Sequence, residues 1–110
     1  MAFTTINIST SGDNTVVAAP TAPNRYNAYE LLLVPKGPVG VTVKDGSTAI
    51  IGPIRMGPGT GVGGLFMRRR DDEKPVIQTT RGSAFVVNLD AAVQVGGYVM
   101  GVTADIADMV

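Results

Sequence analysis

Glycine and proline interrupt this chain so often that little of it can form a stable helix. The 110 residues include fourteen glycines and seven prolines, spread along the sequence. An isolated helix shorter than about 12 residues is marginal in water, and the one helix-friendly segment, residues 104–109, is shorter than that. The sequence therefore predicts a fold built from strands and turns.

Apolar side chains recur at every second position in most segments, which is the pattern of a strand with one buried face. Residues 39–43 are the clearest example, because three valines alternate with Gly40 and Thr42. The same spacing predicts eight further strands, at residues 3–10, 14–19, 26–34, 48–55, 64–69, 76–80, 84–89 and 95–102.

Turn-forming residues separate these segments. Residues 11–14 read SGDN and residues 45–47 read DGS. In such turns Gly tolerates a positive φ, and Asn or Asp bonds to nearby backbone. Short strands joined by frequent turns predict an all-β fold, a jelly-roll-like antiparallel β-sandwich or a small barrel of about eight strands. We expect residues 1–110 to form a single domain.

The sequence contains neither cysteine nor histidine. Nucleophilic triads of the Ser-His-Asp or Cys-His type cannot be built without them, and zinc sites lose their usual ligands. Only three Tyr, three Phe and no Trp are present, which leaves little from which to build a sugar-binding platform. We therefore expect a protein that is not an enzyme, with no cofactor and no metal site.

Charged residues are balanced but scarce. Nine basic and nine acidic side chains cancel, so no long-range field attracts nucleic acid or a membrane surface. They make up 16% of the chain, against about 25% in an ordinary soluble domain. A small surface with so few charges predicts that neighbouring subunits cover part of it.

Residues 59–64 read GTGVGG and match the dinucleotide-binding pattern G-x-G-x-x-G. That pattern holds a pyrophosphate only when a helix N-terminus follows it. The next residues, 65–68, are predicted to form a strand, so we interpret the segment as a loop and expect no small-molecule substrate.

A dense run of charges is the sharpest local feature of the sequence. Seven of the eighteen charged residues are consecutive: Arg68, Arg69, Arg70, Asp71, Asp72, Glu73 and Lys74. The three carboxylates would repel a nucleic-acid backbone, and their spacing matches no calcium loop. The first interpretation is a solvated hairpin tip. The alternative is a protein-contact loop between subunits, since Arg and carboxylate groups pair well across interfaces.

Three segments together resemble small virion-associated proteins of tailed bacteriophages, some of which decorate or cement the capsid. They are residues 11–19 (SGDNTVVAA), 41–54 (VTVKDGSTAIIGPI) and 88–99 (NLDAAVQVGGYV). The resemblance implies a jelly-roll-like sandwich, often trimeric, that sits on the shell where capsid subunits meet. Residues 20–30 and 68–74 depart from the pattern, and no functional residue carries over.

Three functions remain open at this point. The first is a capsid decoration or cement protein, located in the virion, whose partners are the major capsid protein or other virion proteins and further copies of itself. The second is a neck, tail or fibre-attachment component. The third is a small carbohydrate-binding module. We expect no nucleic-acid or membrane partner, and no secretion signal in the first twenty residues.

Overall fold

The protein is described by a computed structural model that covers residues 1–69 and 74–108. This part of the chain contains no helix, and hence none that is long and apolar enough to cross a membrane. It forms nine strands: β1 (Ala2–Ile8), β2 (Gly12–Val17), β3 (Arg25–Pro35), β4 (Val39–Asp45), β5 (Thr48–Met56), β6 (Leu65–Arg68), β7 (Ile77–Gln78), β8 (Phe85–Leu89) and β9 (Val95–Ala104). Each coincides with a predicted strand to within a few residues.

The strands form two antiparallel sheets. The first sheet has the order β1-β9-β3-β6, with β7 also paired to β3, and the second has the order β2-β8-β4-β5. Only β4 and β5 are neighbours both in sequence and in a sheet, and the chain otherwise crosses between sheets repeatedly. This order is that of a jelly roll. The predicted fold class is confirmed, as a sandwich and not a closed barrel.

The core lies between the two sheets and is filled from their facing sides. Where a strand has no bulge, the inward positions follow the predicted period of two, as Val39, Val41 and Val43 on β4 show. Phe85 on β8 is fully buried, and its ring contacts that of Tyr26 with a centroid separation of 5.6 Å. Burial raises the pKa of the Tyr26 hydroxyl to about 12.

Strand β3 changes the side that it presents to the core part-way along its length. Its register with β9 shifts between Ala28 and Glu30, so Tyr29 is an extra residue in β3. A bulge of this kind reverses the alternation of faces. Tyr26 and Ala28 face the core before the bulge, and Leu31 and Leu33 do so after it.

The C-terminal segment, residues 105–108, lies against the start of β3 and is held by ion pairs. The Arg25 guanidinium is largely buried and donates to the Thr79 carbonyl at 2.8 Å and to Asp108 Oδ1 at 2.6 Å. Arg81 pairs with Asp105 at 3.0 Å. From the sequence, Asp105 and Asp108 were expected only to keep the tail soluble, whereas both pair with arginines, and residues 105–108 are not helical.

Replacing Asp108 with Asn should lower the urea midpoint of unfolding near neutral pH. The hydrogen bond from Arg25 holds the pKa of Asp108 below its ordinary value of 3.8. A carboxyl whose pKa is lower when folded stabilises the fold above its unfolded pKa, and this contribution disappears as the pH falls through the folded pKa. The midpoints of wild type and variant should therefore converge once the pH falls well below 3.8.

Asp105→Asn is the control, because it removes the same charge from the same segment and keeps the Arg25–Asp108 pair. It should retain the pH dependence that Asp108 contributes. A difference between wild type and Asp108→Asn that persists at the lowest pH would assign the effect to packing and not to charge.

Candidate functional site

One side of the first sheet faces away from the core, and we call it the outer face. Pairing aligns four strands in rows across it, one row being Thr5, Tyr98, Leu32 and Phe66. Neighbouring strands lie about 4.8 Å apart, so each row spans roughly 14 Å. The outer face consists of Phe3, Thr5 and Asn7 on β1, Tyr98 and Met100 on β9, Glu30, Leu32 and Val34 on β3, and Phe66 and Arg68 on β6.

Large apolar side chains are concentrated on this face. Six such side chains are exposed in the described part of the chain, and three of them lie here: Phe3 (66% exposed), Phe66 (56%) and Val34 (47%). Half-buried Leu32, Tyr98 and Met100 lie between them in the rows. Single exposed apolar residues are normal on a protein surface, whereas a contiguous group marks an interaction site.

Three polar side chains of the outer face, Tyr98, Glu30 and Arg68, bind one another. The Tyr98 hydroxyl donates to Glu30 Oε2, and this hydrogen bond raises the pKa of Tyr98 above its usual value. Glu30 Oε1 also pairs with Arg68 Nε at 3.6 Å. Tyr98 in turn contacts the Phe3 ring edge-on at 5.2 Å. The two charged side chains on this face therefore neutralise each other, and the face as a whole has little net charge.

The other end of the same sheet is covered by the chain itself. Residues 105–108 pass over the start of β3, where Gln78 donates to the Ala107 carbonyl at 2.9 Å. Gln78 also donates to Asn27 Oδ1 at 2.9 Å, and Asn27 is fully buried. Residues 105–108 thus cover the polar part of this side of the sheet, around Asn27 and Gln78. The apolar part, which includes Phe3, Val34 and Phe66, stays open in the described chain.

The charge run flanks the outer face, and only part of it belongs to the described residues. Arg68 ends β6 and pairs with Glu30, and the Arg69 guanidinium lies 4.9 Å from the centre of the Tyr29 ring. Lys74 is exposed. The other four residues of the predicted contact loop, Arg70, Asp71, Asp72 and Glu73, lie outside the described residues, so the loop stays a prediction.

The hairpin interpretation of this run was wrong. The two strands on either side of it, β6 and β7, do not pair with each other, since both run antiparallel to β3 along the same edge. Strands β6 and β7 therefore occupy successive parts of the same edge of the first sheet. The period-two pattern on each side was identified correctly, but the sequence cannot say which strand each half pairs with.

The glycine-rich segment 59–64 is a loop between β5 and β6, as predicted. The Thr60 hydroxyl donates to the Gly57 carbonyl at 2.7 Å, and the Val62 N–H donates to the same hydroxyl at 3.2 Å, which closes the loop on itself. The segment that follows is β6 and not a helix. No helix N-terminus is thus available there to hold a phosphate.

The sandwich has a shallow apolar groove of about 260 Å³ on the side where β5 faces β6 and β7. It is lined by Ile50, Ile51, Met67, Val76, Ile77 and Gln78. Among residues 1–69 and 74–108 no three acidic side chains lie close enough together to hold a metal ion. Five of these side chains are apolar, and the Gln78 amide is the polar group of the lining.

The outer face was not predicted as a site, although the sequence contains a signal for it. Phe3, Val34 and Phe66 occupy the solvent side of strands whose other side is already apolar, a position that polar residues usually take. No protein-family model matches the chain, and neither a curated protein sequence nor a solved structure is similar to it. The resemblance to phage virion proteins therefore depends on the three strand-and-turn segments alone.

Proposed function

We propose that this protein is a structural component of a virus particle, a decoration or cement protein that binds the assembled shell and bridges neighbouring capsid subunits. The observation that carries the proposal is the outer face, an open and nearly uncharged apolar surface on a rigid sandwich. The resemblance of residues 11–19, 41–54 and 88–99 to phage virion proteins is the reason for proposing a capsid protein as the partner.

The composition of the outer face suits a protein partner. Interface centres are depleted in charge and enriched in aromatic residues and Met, while a polar rim surrounds them. Phe3, Tyr98, Phe66 and Met100 supply such a centre, and the Glu30–Arg68 pair lies at its border. A carbohydrate-binding module would instead expose a row of Trp or Tyr rings, and the Tyr98 hydroxyl is already bonded to Glu30.

A jelly roll is well suited to bridging. Its close-packed core resists deformation, while the loops at its two ends can contact different neighbours. Many copies that bind the assembled lattice in preference to free subunits stabilise that lattice by mass action. The resemblance implies that domains of this kind are often trimeric.

To test this proposal, purified protein is added to particles that lack it. The number of copies bound per particle is then measured, together with the resistance of the particles to heat or chelation. We expect saturable binding and a higher disruption temperature. The double substitution Val34→Ser, Phe66→Ser should weaken binding about tenfold or more, as expected for central interface residues. Circular dichroism should show an unchanged fold, since both side chains are exposed.

Ile50→Ser is the matched control, because Ile50 is an exposed apolar residue of the second sheet. It should bind particles as the wild type does. Equal binding by the double variant would remove the outer face from the interface. Absence of binding to mature shells, together with a copy number that matches a ring in the neck or tail, would favour the neck, tail or fibre-attachment function.

A further inference from the structure

The two sheets have four lateral edges in the described part of the chain. They are β1 and β6 with β7 in the first sheet, and β2 and β5 in the second. A free edge presents unpaired N–H and C=O groups that can pair with a strand of another chain. Proteins normally guard such edges with charges, proline, bulges or very short strands.

Three of the four edges carry such guards. Strand β5 contains Pro53 and Arg55, and its register with β4 shifts twice. Strand β2 contains Asp13 and a register shift between Thr15 and Val17. Strand β6 has only four residues and ends in Arg68, and β7 has two residues.

Strand β1 carries none of these guards. Its seven residues, AFTTINI, include no charge and no proline. All seven pair with β9 in one continuous register, without a bulge. Thr5, at its centre, is exposed, and no described strand pairs with its other side.

We propose that the free edge of β1 pairs with β1 of a second copy of this protein, antiparallel and centred on Thr5. Thr5 then lies opposite the partner's Thr5, and Phe3 lies opposite the partner's Asn7. Odd-numbered residues lie opposite odd-numbered residues, and even-numbered opposite even-numbered. Side chains of the outer face therefore lie beside side chains of the partner's outer face, and core-facing side chains lie beside core-facing ones. Threonine pairs across antiparallel strands are favourable, and no like charges oppose each other.

A second copy is the occupant because it matches this edge in three ways. It offers a strand of the same length, the same absence of charge and the same alternation of faces. The joined first sheets would have the order β6-β3-β9-β1-β1-β9-β3-β6 and one continuous outer face. The two-fold pair is a dimer, in contrast to the trimer implied by the resemblance, and it does not depend on the proposed function.

Single cysteines test the register directly, since the chain has no other thiol. Residues directly opposite in an antiparallel pair have Cα atoms about 4.5–5.5 Å apart, within the range that a disulfide spans. Thr5→Cys should therefore form a disulfide-linked dimer when the purified protein is oxidised. Asn7→Cys, on the same strand and face, should not, because the two copies of that residue would lie about 14 Å apart.

Charge substitutions at Thr5 test the same contact without a covalent bond. In sedimentation at micromolar concentrations, we expect the wild type at twice the monomer mass of 11.4 kDa. Thr5→Lys and Thr5→Glu should each be monomeric, and an equimolar mixture of the two should recover the dimer. Thr48→Lys, an exposed threonine on the guarded edge β5, should leave the dimer intact.

Several results would overturn the proposal. They are a monomeric wild type, a trimer that persists in Thr5→Lys, or cross-linking as efficient in Asn7→Cys as in Thr5→Cys. The dimer is measured on free protein, whereas particle binding is tested with the variant Val34→Ser, Phe66→Ser, whose positions lie outside β1. Failure of the dimer and failure of the proposed function therefore give different results.

Discussion

Replacing Gly97 with alanine is expected to lower the free energy of unfolding by at least about 3 kcal/mol. Gly97 lies in the middle of the first sheet, between Ile6 of β1 and Leu33 of β3. A Cβ atom there would lie 1.8 Å from the Leu32 carbonyl oxygen, far inside van der Waals contact. Its φ of +148° is also one that side-chain-bearing residues rarely adopt. Relief of the clash would require β3 and β9 to separate.

Gly63→Ala provides the control for this substitution. No heavy atom lies within 4 Å of the position that its Cβ would occupy. Urea denaturation should give a midpoint for Gly63→Ala close to that of the wild type, and a much lower one for Gly97→Ala. Equal midpoints for the two variants would mean that β3 and β9 approach each other less closely than described.

Phe85→Ala is expected to cost about 3–5 kcal/mol, the usual loss for a fully buried aromatic ring. Phe85 has no exposed surface and packs against Tyr26 between the sheets. A domain of this size has only about 5–15 kcal/mol of stability in total. The variant should therefore unfold at a much lower temperature, which differential scanning calorimetry would measure.

Phe66→Ala makes the same chemical change on the outer face. Because more than half of Phe66 is exposed, its loss should change the free energy of unfolding by no more than about 0.5 kcal/mol. Comparison of the free energies of unfolding of Phe85→Ala and Phe66→Ala therefore shows which of the two phenylalanines the fold requires. A large loss of stability in Phe66→Ala would mean that Phe66 is needed for folding, and the outer face would then not be free to bind a partner.

The strands could be predicted from the sequence because each has a local signal. Alternating valines identified β4, and glycine-containing turns marked where strands begin and end. The two-layer arrangement followed as well, since one apolar face on each strand must be buried. These features depend on residues close together in the chain, which a single sequence displays.

The candidate site could not be predicted in the same way. Phe3, Val34 and Phe66 come from three strands that are distant in sequence, and β9 must lie between β1 and β3 for them to share a face. The bulge at Tyr29 changes which side chains of β3 face outward, and no local sequence pattern predicts this bulge. Arg25 and Asp108 are likewise 83 residues apart in sequence, and only the fold brings them together.

The central position of β9 has a consequence for the order in which the chain acquires its structure. Among the nine described strands, β9 (Val95–Ala104) emerges last during synthesis, yet it holds β1 and β3 together. Pairings between distant segments form slowly because long loops must close first. Until β9 joins the first sheet, β1 has no partner along either edge. Association between nascent chains and folding within one chain therefore compete for the same seven residues.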